Sequence, residues 1–174
     1  MAKEQLYTQE GYQKLIEAKR RPKEKAFPFV VGNKEDIKKV ATLTKKQQKI
    51  VDLFFPGPLT IIVKKNENVA DYLTNGKDTI AIRMPDNEFV LDLIKELGKP
   101  ILLTSANLSG EEAALNSEEA FNIFDGVVPF IVEGEAGSSM ASTIIDLTQD
   151  EIKIVREGKI GLKELEEAVE WRLY

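Results

Sequence analysis

The sequence of 174 residues contains no cysteine and no histidine, and each absence excludes a class of chemistry. Without cysteine there can be no disulfide, no thiolate metal site and no cysteine nucleophile, and a reducing cytoplasmic location is expected. Without histidine, Ser-His-Asp triads and histidine-built zinc or iron sites are excluded. Any chemistry must therefore rely on Lys, Arg, Ser, Thr, Asn, Asp and Glu side chains and on the backbone.

Long apolar runs are also missing. No stretch approaches the roughly 20 apolar residues that a membrane span needs, so no membrane partner is expected. The start of the chain, MAKEQLYTQEG, lacks the apolar core of a secretory signal. With 43% hydrophobic and 30% charged residues, the composition is typical of an ordinary soluble globular protein.

Charge is unevenly distributed along the chain. Residues 1–50 hold 13 Lys and Arg against 6 Asp and Glu, whereas the remaining 124 residues hold 11 against 23. A basic first third on an acidic body indicates one anion-facing surface, and a set of solvated helix faces explains the charges equally well.

Apolar runs alternate with helical periodicities, which predicts one α/β domain over residues 1–174, built on a mixed, twisted, open sheet with flanking helices. The pattern predicts a buried central strand at Ile101 to Thr104 and a further strand at Val127 to Val132. It also predicts a helix that Asp86 caps and Gly98 ends, with a core stripe at Val90, Leu93, Ile94 and Leu97.

Two polar constellations are candidates for binding an anion. The pattern predicts a first helix from Gln9 to Arg20, and Lys19, Arg21 and Lys23 lie in its last turn and just beyond it, where an arginine fork and lysine charges suit phosphate oxygens. Cations also decorate ordinary helix C-termini, so this run alone does not decide between the two interpretations. Ser105 and Asn107 follow the predicted central strand, at a place where open sheets hold ligands, although such residues also build turns.

A third constellation consists of Arg83, Ser142 and Arg156, which lie at or near strand ends. A cation at a buried strand end usually has an anionic partner, either a ligand or an acidic side chain of the fold. The sequence has no Walker A pattern, no dinucleotide glycine fingerprint and no carboxylate cluster with metal-ligand spacing. These residues by themselves indicate an anion-binding α/β domain.

Six stretches taken together resemble the YrdC/Sua5 family of threonylcarbamoyl-AMP synthases. They cover about residues 12–160, in the order of the family: KRRP at 19–22, FPGPLT at 55–60, IRMP at 82–85, TSANLSG at 104–110, STIIDL at 142–147 and VREG at 155–158. The resemblance implies a YrdC-like fold, with an open twisted α/β sheet around a large concave cleft that binds ATP and L-threonine.

The resemblance also implies a reaction. Such a nucleotidyltransferase joins L-threonine, bicarbonate and ATP, with Mg²⁺ assisting, and forms threonylcarbamoyl-AMP and pyrophosphate. The product then passes to the transferase partner proteins that make the t6A modification at adenosine 37 of tRNA. Contact with tRNA or with double-stranded RNA is a further expectation.

Site residues follow from the resemblance position by position. Lys19 and Arg21 are expected at the triphosphate, with Lys23 as a further contact, and Ser105 and Asn107 at the junction of amino acid and nucleotide. Lys19, Arg21, Ser105 and Asn107 form the expected catalytic set. Arg83 and Ser142 are expected, together with Ser105, to bind threonine; Arg156 is expected, together with Asn107, to bind the nucleotide. No metal ligand is assigned.

One family feature is not found in this sequence. The family opens with a strand and a Pro-Thr-Asp-Thr-x-Tyr-Gly-Leu segment, and none of the 18 residues before Lys19 matches it. The domain is therefore expected to be incomplete at its N-terminus relative to the family. Two alternatives follow: a non-catalytic RNA- or nucleotide-binding module, and a homologue of the YciO type with a different substrate.

Overall fold

The computed structural model describes residues 8–22, 25–136 and 141–169. In chain order the elements are α1 (Gln9–Lys19), β1 (Phe29–Val30), α2 (Lys45–Phe54), β2 (Leu59–Lys64), β3 (Thr79–Arg83), α3 (Glu88–Leu97), β4 (Ile101–Leu102), α4 (Ser117–Phe124), β5 (Thr143–Asp146), β6 (Lys153–Arg156) and α5 (Leu162–Val169), with short 3₁₀ helices at Lys34–Lys39 and Asp71–Leu73. None of the helices within these ranges is long and apolar enough to cross a membrane.

The six strands form one open sheet in the order β4-β1-β3-β2-β5-β6. β1 runs parallel to β3 and β2 parallel to β5, whereas the other neighbours are antiparallel. This mixed sheet with flanking helices confirms the predicted α/β class. The concave cleft that the resemblance implies stays a prediction.

One row of paired residues crosses the whole sheet and positions the candidate site. Arg83 pairs with Val30 on one side and with Thr60 on the other, and the row continues to Arg156 on β6. Because paired residues project to the same face of a sheet, the side chains of Arg83, Thr60 and Arg156 share one face.

The opposite face of the sheet carries the main core. Alternate residues such as Ile61, Ile82 and Ile145 are fully buried there, and they belong to one apolar cluster with Ile50 of α2 and Leu165 of α5. Period-two alternation along β2 and β3 thus separates an apolar face from a face that carries polar groups.

The end of α1 turns the chain toward the site. Arg20 adopts the left-handed conformation (φ 46°, ψ 43°), and its N–H and that of Arg21 bond back to carbonyls of the last helical turn. A left-handed residue at a helix C-terminus stops the helix and redirects the chain. Lys19 therefore remains on the helix while Arg21 starts the following segment.

Two predicted strands differ from the structure. β4 contains only Ile101 and Leu102, is half-buried and lies at an edge of the sheet, because it pairs with β1 alone. The segment from Val127 to Val132 is not a strand: Pro129 removes a ladder donor, and the N–H groups of Val127 and Val128 bond to the Phe124 carbonyl instead.

The predicted helix after Asp86 is present, but two details are corrected. Asn87, and not Asp86, caps α3, with its Oδ1 accepting a hydrogen bond from the Val90 N–H (3.0 Å). Of the predicted core stripe only Ile94 is fully buried, whereas Leu93 and Leu97 are exposed. The face of α3 that meets the sheet is narrower than a periodicity of apolar residues suggests.

Candidate active site

The loop after β4 is held by the end of α1. The Lys19 ammonium donates hydrogen bonds to the Ser105 carbonyl (2.6 Å), to Asn107 Oδ1 (2.7 Å) and to the Asn107 carbonyl. The Lys19 carbonyl in turn accepts from the Ser109 N–H (2.9 Å). The structure thus brings together the basic segment and the Ser-x-Asn segment, which lie 86 residues apart in sequence.

Asn107 is the centre of this loop. Its Oδ1 accepts from the Ser105 hydroxyl (2.7 Å) as well as from Lys19, and its Nδ2 donates to the Glu111 carbonyl (2.7 Å). The hydroxyl of Ser109 is buried and has no partner among the described residues. The hydrogen bonds that Asn107 makes within the loop and with Lys19 fix the conformation of the loop. The exposed Ser105 side chain therefore has a fixed position.

Lys19 is almost completely buried, with 3% of its surface exposed. Burial, and after it the positive charge of Arg21, lowers the pKa of Lys19 from 10.5 to about 8. Three oxygen acceptors satisfy the three N–H donors of the ammonium without a carboxylate. The group therefore keeps its charge at neutral pH but loses it more readily than an ordinary lysine does.

Arg21 folds back onto its own segment. Its Nε donates to the Lys25 carbonyl (2.7 Å), its Nη2 donates to the Ala26 carbonyl (2.8 Å), and its guanidinium carbon lies 4.5 Å from the centre of the Phe27 ring. Burial lowers the pKa of Arg21, and the nearby Tyr12 partly offsets this effect. Lys23, the third predicted cation, lies outside the described residues.

A second polar group lies around Ser142, at the start of β5. The Ser142 hydroxyl lies 2.9 Å from the Thr60 hydroxyl, and both residues are buried. Arg156 donates to the Ser142 carbonyl from Nη2 (2.8 Å) and from Nε (3.1 Å), and to the Ser142 hydroxyl (3.2 Å). A hydroxyl pair and one guanidinium thus fix this serine.

Thr60 is a site residue that the sequence reasoning did not single out. It lies within the matched stretch at 55–60, and it is the one polar residue in the run LTIIV, which is otherwise apolar. A lone hydroxyl in a buried β-branched run needs a hydrogen-bond partner, and this signal could have identified it.

Gly158 allows the chain after β6 to pack directly on the backbone around Ser142. A Cβ at Gly158 would lie 2.4 Å from the Ala141 oxygen and from the Thr143 nitrogen. Thr143 adds a second link, since its hydroxyl bonds to the Ile160 carbonyl (2.7 Å). The start of β5 and the chain after β6 are therefore held together at van der Waals distance.

Arg83 ends β3 beside this group. Its Nε is buried and has no hydrogen-bond partner among the described residues. Burial first, and then the positive charge of Arg156, lowers the pKa of Arg83. A buried guanidinium donor without a partner among the described residues, within electrostatic reach of a second guanidinium, is an arrangement that an anion would stabilise.

The two polar groups lie at opposite ends of β1. Arg83 pairs with Val30, whereas the loop of Ser105 starts where the Leu103 N–H bonds to the Pro28 carbonyl (3.3 Å). The Ser105 loop therefore lies past the N-terminal end of β1, and Arg83 lies beside its C-terminal end. A single ligand that contacts both groups must pass along β1.

No three Asp or Glu side chains among the described residues cluster at the spacing of metal ligands.

Comparisons with known proteins agree with the sequence motifs. A family model named Sua5_yciO_yrdC and described as telomere recombination matches residues 5–158. The chain is 36% identical to a putative threonylcarbamoyl-AMP synthase of Methanocaldococcus jannaschii, covering 90% of the chain and 74% of that protein. It is 32% identical to threonylcarbamoyl-AMP synthase of Pyrococcus abyssi, covering 90% of the chain but only 46% of that protein. The chain thus spans about half the length of the P. abyssi protein.

Solved structures agree at the level of the fold. The chain superimposes on P. abyssi Sua5 complexed with L-threonine with a TM-score of 0.89 at 31% identity, covering 96% of the chain and 49% of that structure. It superimposes on E. coli YciO with a TM-score of 0.82 at 25% identity, covering 92% and 79% respectively.

Proposed function

Because the chain belongs to the Sua5/YciO/YrdC family, we propose that it is an L-threonylcarbamoyl-AMP synthase. The proposed substrates are L-threonine, bicarbonate and ATP, and the products are threonylcarbamoyl-AMP, pyrophosphate and water. The names of the relatives support the activity, and the P. abyssi Sua5 complex supports threonine as one of the substrates.

The proposed chemistry balances without a histidine. The threonine amino group condenses with bicarbonate, which loses water and leaves a carbamate anion. A carbamate oxygen then attacks the α-phosphorus of ATP, and the bond from this phosphorus to the bridging oxygen of the β-phosphate breaks to release pyrophosphate. Because the carbamate is already an anion, positioning and charge neutralisation supply most of the catalysis.

The observation that carries the proposal is the pair of arginines beside Ser142. Arg83 has a buried Nε without a partner among the described residues, and it lies close enough to Arg156 for the two charges to disfavour each other. Binding of the threonine carboxylate to Arg83 would satisfy this donor and relieve the repulsion. Ser142, fixed by Arg156, is then a second contact for threonine.

The nucleotide end of the proposed complex lies at the loop of Ser105 and Asn107. Here Lys19 holds the loop and supplies a positive charge beneath it, and Arg21 supplies a second one for the triphosphate. A ligand with an amino-acid end and a nucleotide end suits two polar groups that lie at either end of β1. Mg²⁺ is proposed to enter with ATP, as part of the substrate.

The product is a mixed anhydride, and such a compound is consumed by transfer to an amine. The proposed acceptor is adenosine 37 of tRNA, with t6A transferase proteins as partners and the cytoplasm as the location. The lack of cysteine supports a reducing compartment.

Pyrophosphate release tests this function directly. We expect pyrophosphate release only when threonine, bicarbonate and Mg-ATP are all present. We expect Arg83→Gln to raise the KM for threonine at least about tenfold, because the variant loses one charged contact with the threonine carboxylate. The control is Lys95→Gln, which changes an exposed cation on α3. Binding of ATP without binding of threonine would instead support the non-catalytic nucleotide-binding alternative and refute the synthase proposal.

A further inference from the structure

Residues 100–152 form a long stretch of one charge sign. They contain ten Asp and Glu residues and no Lys or Arg. Seven of these acidic residues fall within residues 111–135, on and around α4. At neutral pH this part of the surface repels polyanions and attracts cations.

The same part of the chain exposes large apolar side chains. Half of the exposed large apolar residues among those described fall within residues 115–132: Leu115 (47%), Phe121 (52%), Val127 (53%), Phe130 (85%) and Val132 (63%). Scattered exposed apolar residues are normal, whereas a local concentration rimmed by charges marks an interaction surface.

Backbone hydrogen bonds hold the segment that follows α4 against both ends of the helix. The segment 127–136 is tied to the end of α4 where the Val127 N–H bonds to the Phe124 carbonyl (2.9 Å). It is tied to the start of α4 where the Ala136 N–H bonds to the Leu115 carbonyl (2.7 Å). The segment therefore runs back along the helix, which is about 12 Å long. We call residues 115–136 the α4–strap surface.

This surface adjoins the loop of Ser105 and Asn107. The Ala114 N–H donates to the Ala106 carbonyl (2.8 Å), and Asn107 Nδ2 donates to the Glu111 carbonyl (2.7 Å). A partner seated on the α4–strap surface would thus lie beside the nucleotide end of the candidate site.

We propose that the α4–strap surface docks a protein partner through a cationic amphipathic helix. Apolar side chains of that helix would cover Phe130 and Val132, and its Lys or Arg residues would face the surrounding acidic residues. The charge sign excludes nucleic acid as the occupant, since a phosphate backbone needs cations opposite it. The proposal concerns binding alone, so it stands or falls separately from the proposed catalysis.

The probe is a fluorescein-labelled peptide of 18 residues, made of leucine and lysine, with the leucines at helical spacing. Fluorescence anisotropy measures its affinity for the full chain at physiological salt. A scrambled peptide of the same composition has the same charge but no apolar face. We expect the helical peptide to bind at least about tenfold more tightly than the scrambled one, because apolar anchors dominate such interfaces.

Two matched variants locate the binding. Phe130→Ser with Val132→Ser removes exposed side chains of the α4–strap surface, and Phe89→Ser with Leu93→Ser removes exposed side chains of α3. All four changes are at exposed positions, so the fold should persist. We expect the Phe130 and Val132 variant to bind the helical peptide at least about tenfold more weakly than the unchanged chain does. The Phe89 and Leu93 variant should bind it with unchanged affinity.

Four results would overturn the proposal. The first is equal affinity of the chain for the helical and the scrambled peptide, which would mean that charge alone attracts them. The second is an equal loss of affinity for the helical peptide in both variant pairs. The third is binding of an RNA duplex that the Phe130 and Val132 changes abolish. The fourth is self-association in analytical ultracentrifugation that the same changes abolish, since the occupant would then be a second copy of this chain.

Discussion

Replacing Gly158 with alanine should disrupt the start of β5 without touching any charged group. The new Cβ would lie 2.4 Å from the Ala141 oxygen and from the Thr143 nitrogen, and 2.5 Å from the Ser142 carbonyl carbon. Ordinary contacts to a Cβ begin at 3.4 Å. All three obstructing atoms belong to the backbone, so the two chain segments must move apart by about 1 Å.

The expected cost follows from this overlap. Overpacking of a rigid site costs about 1–3 kcal/mol, and displacing Ser142 also weakens its buried hydrogen bond to Thr60, which is worth about 1 kcal/mol. We expect the free energy of unfolding to fall by about 2–4 kcal/mol and the Tm to fall by about 10 °C. If Ser142 binds threonine, isothermal titration should also show weaker threonine binding.

The matched control is Gly161→Ala, three residues further along the chain. No heavy atom lies within 4 Å of a Cβ at Gly161, so this change should alter the free energy of unfolding by less than about 1 kcal/mol. Calorimetric melting of both variants decides the matter. If Gly158→Ala melts within about 2 °C of Gly161→Ala, the close packing behind Ser142 is not a constraint.

Three further predictions concern single groups. Because Lys19 has a pKa of about 8, it loses its positive charge as the pH rises from 7 to 9.5. The affinity for ATP should therefore fall by up to about tenfold above pH 8. In Lys19→Met the affinity for ATP should be low and independent of pH. Thr60→Val removes one of the two hydrogen-bond partners of the Ser142 hydroxyl, the other being Arg156, and should raise the KM for threonine. Thr60→Ser keeps the partner and should leave this KM unchanged, as measured by steady-state kinetics. Thr44→Ala breaks the capping box with Gln47 and should lower the free energy of unfolding by about 1 kcal/mol in urea titrations, leaving both substrate affinities unchanged.

Each of these has a contrary outcome. An ATP affinity that stays constant across pH 8 in the wild-type chain would show that the Lys19 charge does not act on the nucleotide. Equal KM values in both Thr60 variants would mean that the hydroxyl pair does not position Ser142. A change in substrate affinity in Thr44→Ala would show that α2 and the site are coupled, for example through the hydrogen bond from Gln47 to the Leu147 carbonyl after β5.

Local sequence patterns are sufficient to indicate several of the elements. The β-branched runs at Leu59 and Thr79 form β2 and β3, and the helix after Thr44 begins with the cap that its sequence indicates. The prediction was wrong at Val127–Val132, where an apolar run looks like a strand but contains a proline and pairs with none of the strands in the described part of the chain. Strand formation depends on a partner, and local sequence does not contain that information.

The sequence by itself determined the chemistry available to this protein. It excludes cysteine and histidine mechanisms, sets the alternation of helices and strands, and carries the motifs that identify the family. Only the tertiary structure decided which residues meet: Lys19 with Asn107, Thr60 with Ser142, and Arg83 beside Arg156. These contacts join segments far apart in the chain, so they depend on the order and register of strands in the sheet. Strand order is settled by burial of the whole core, and no single segment encodes it.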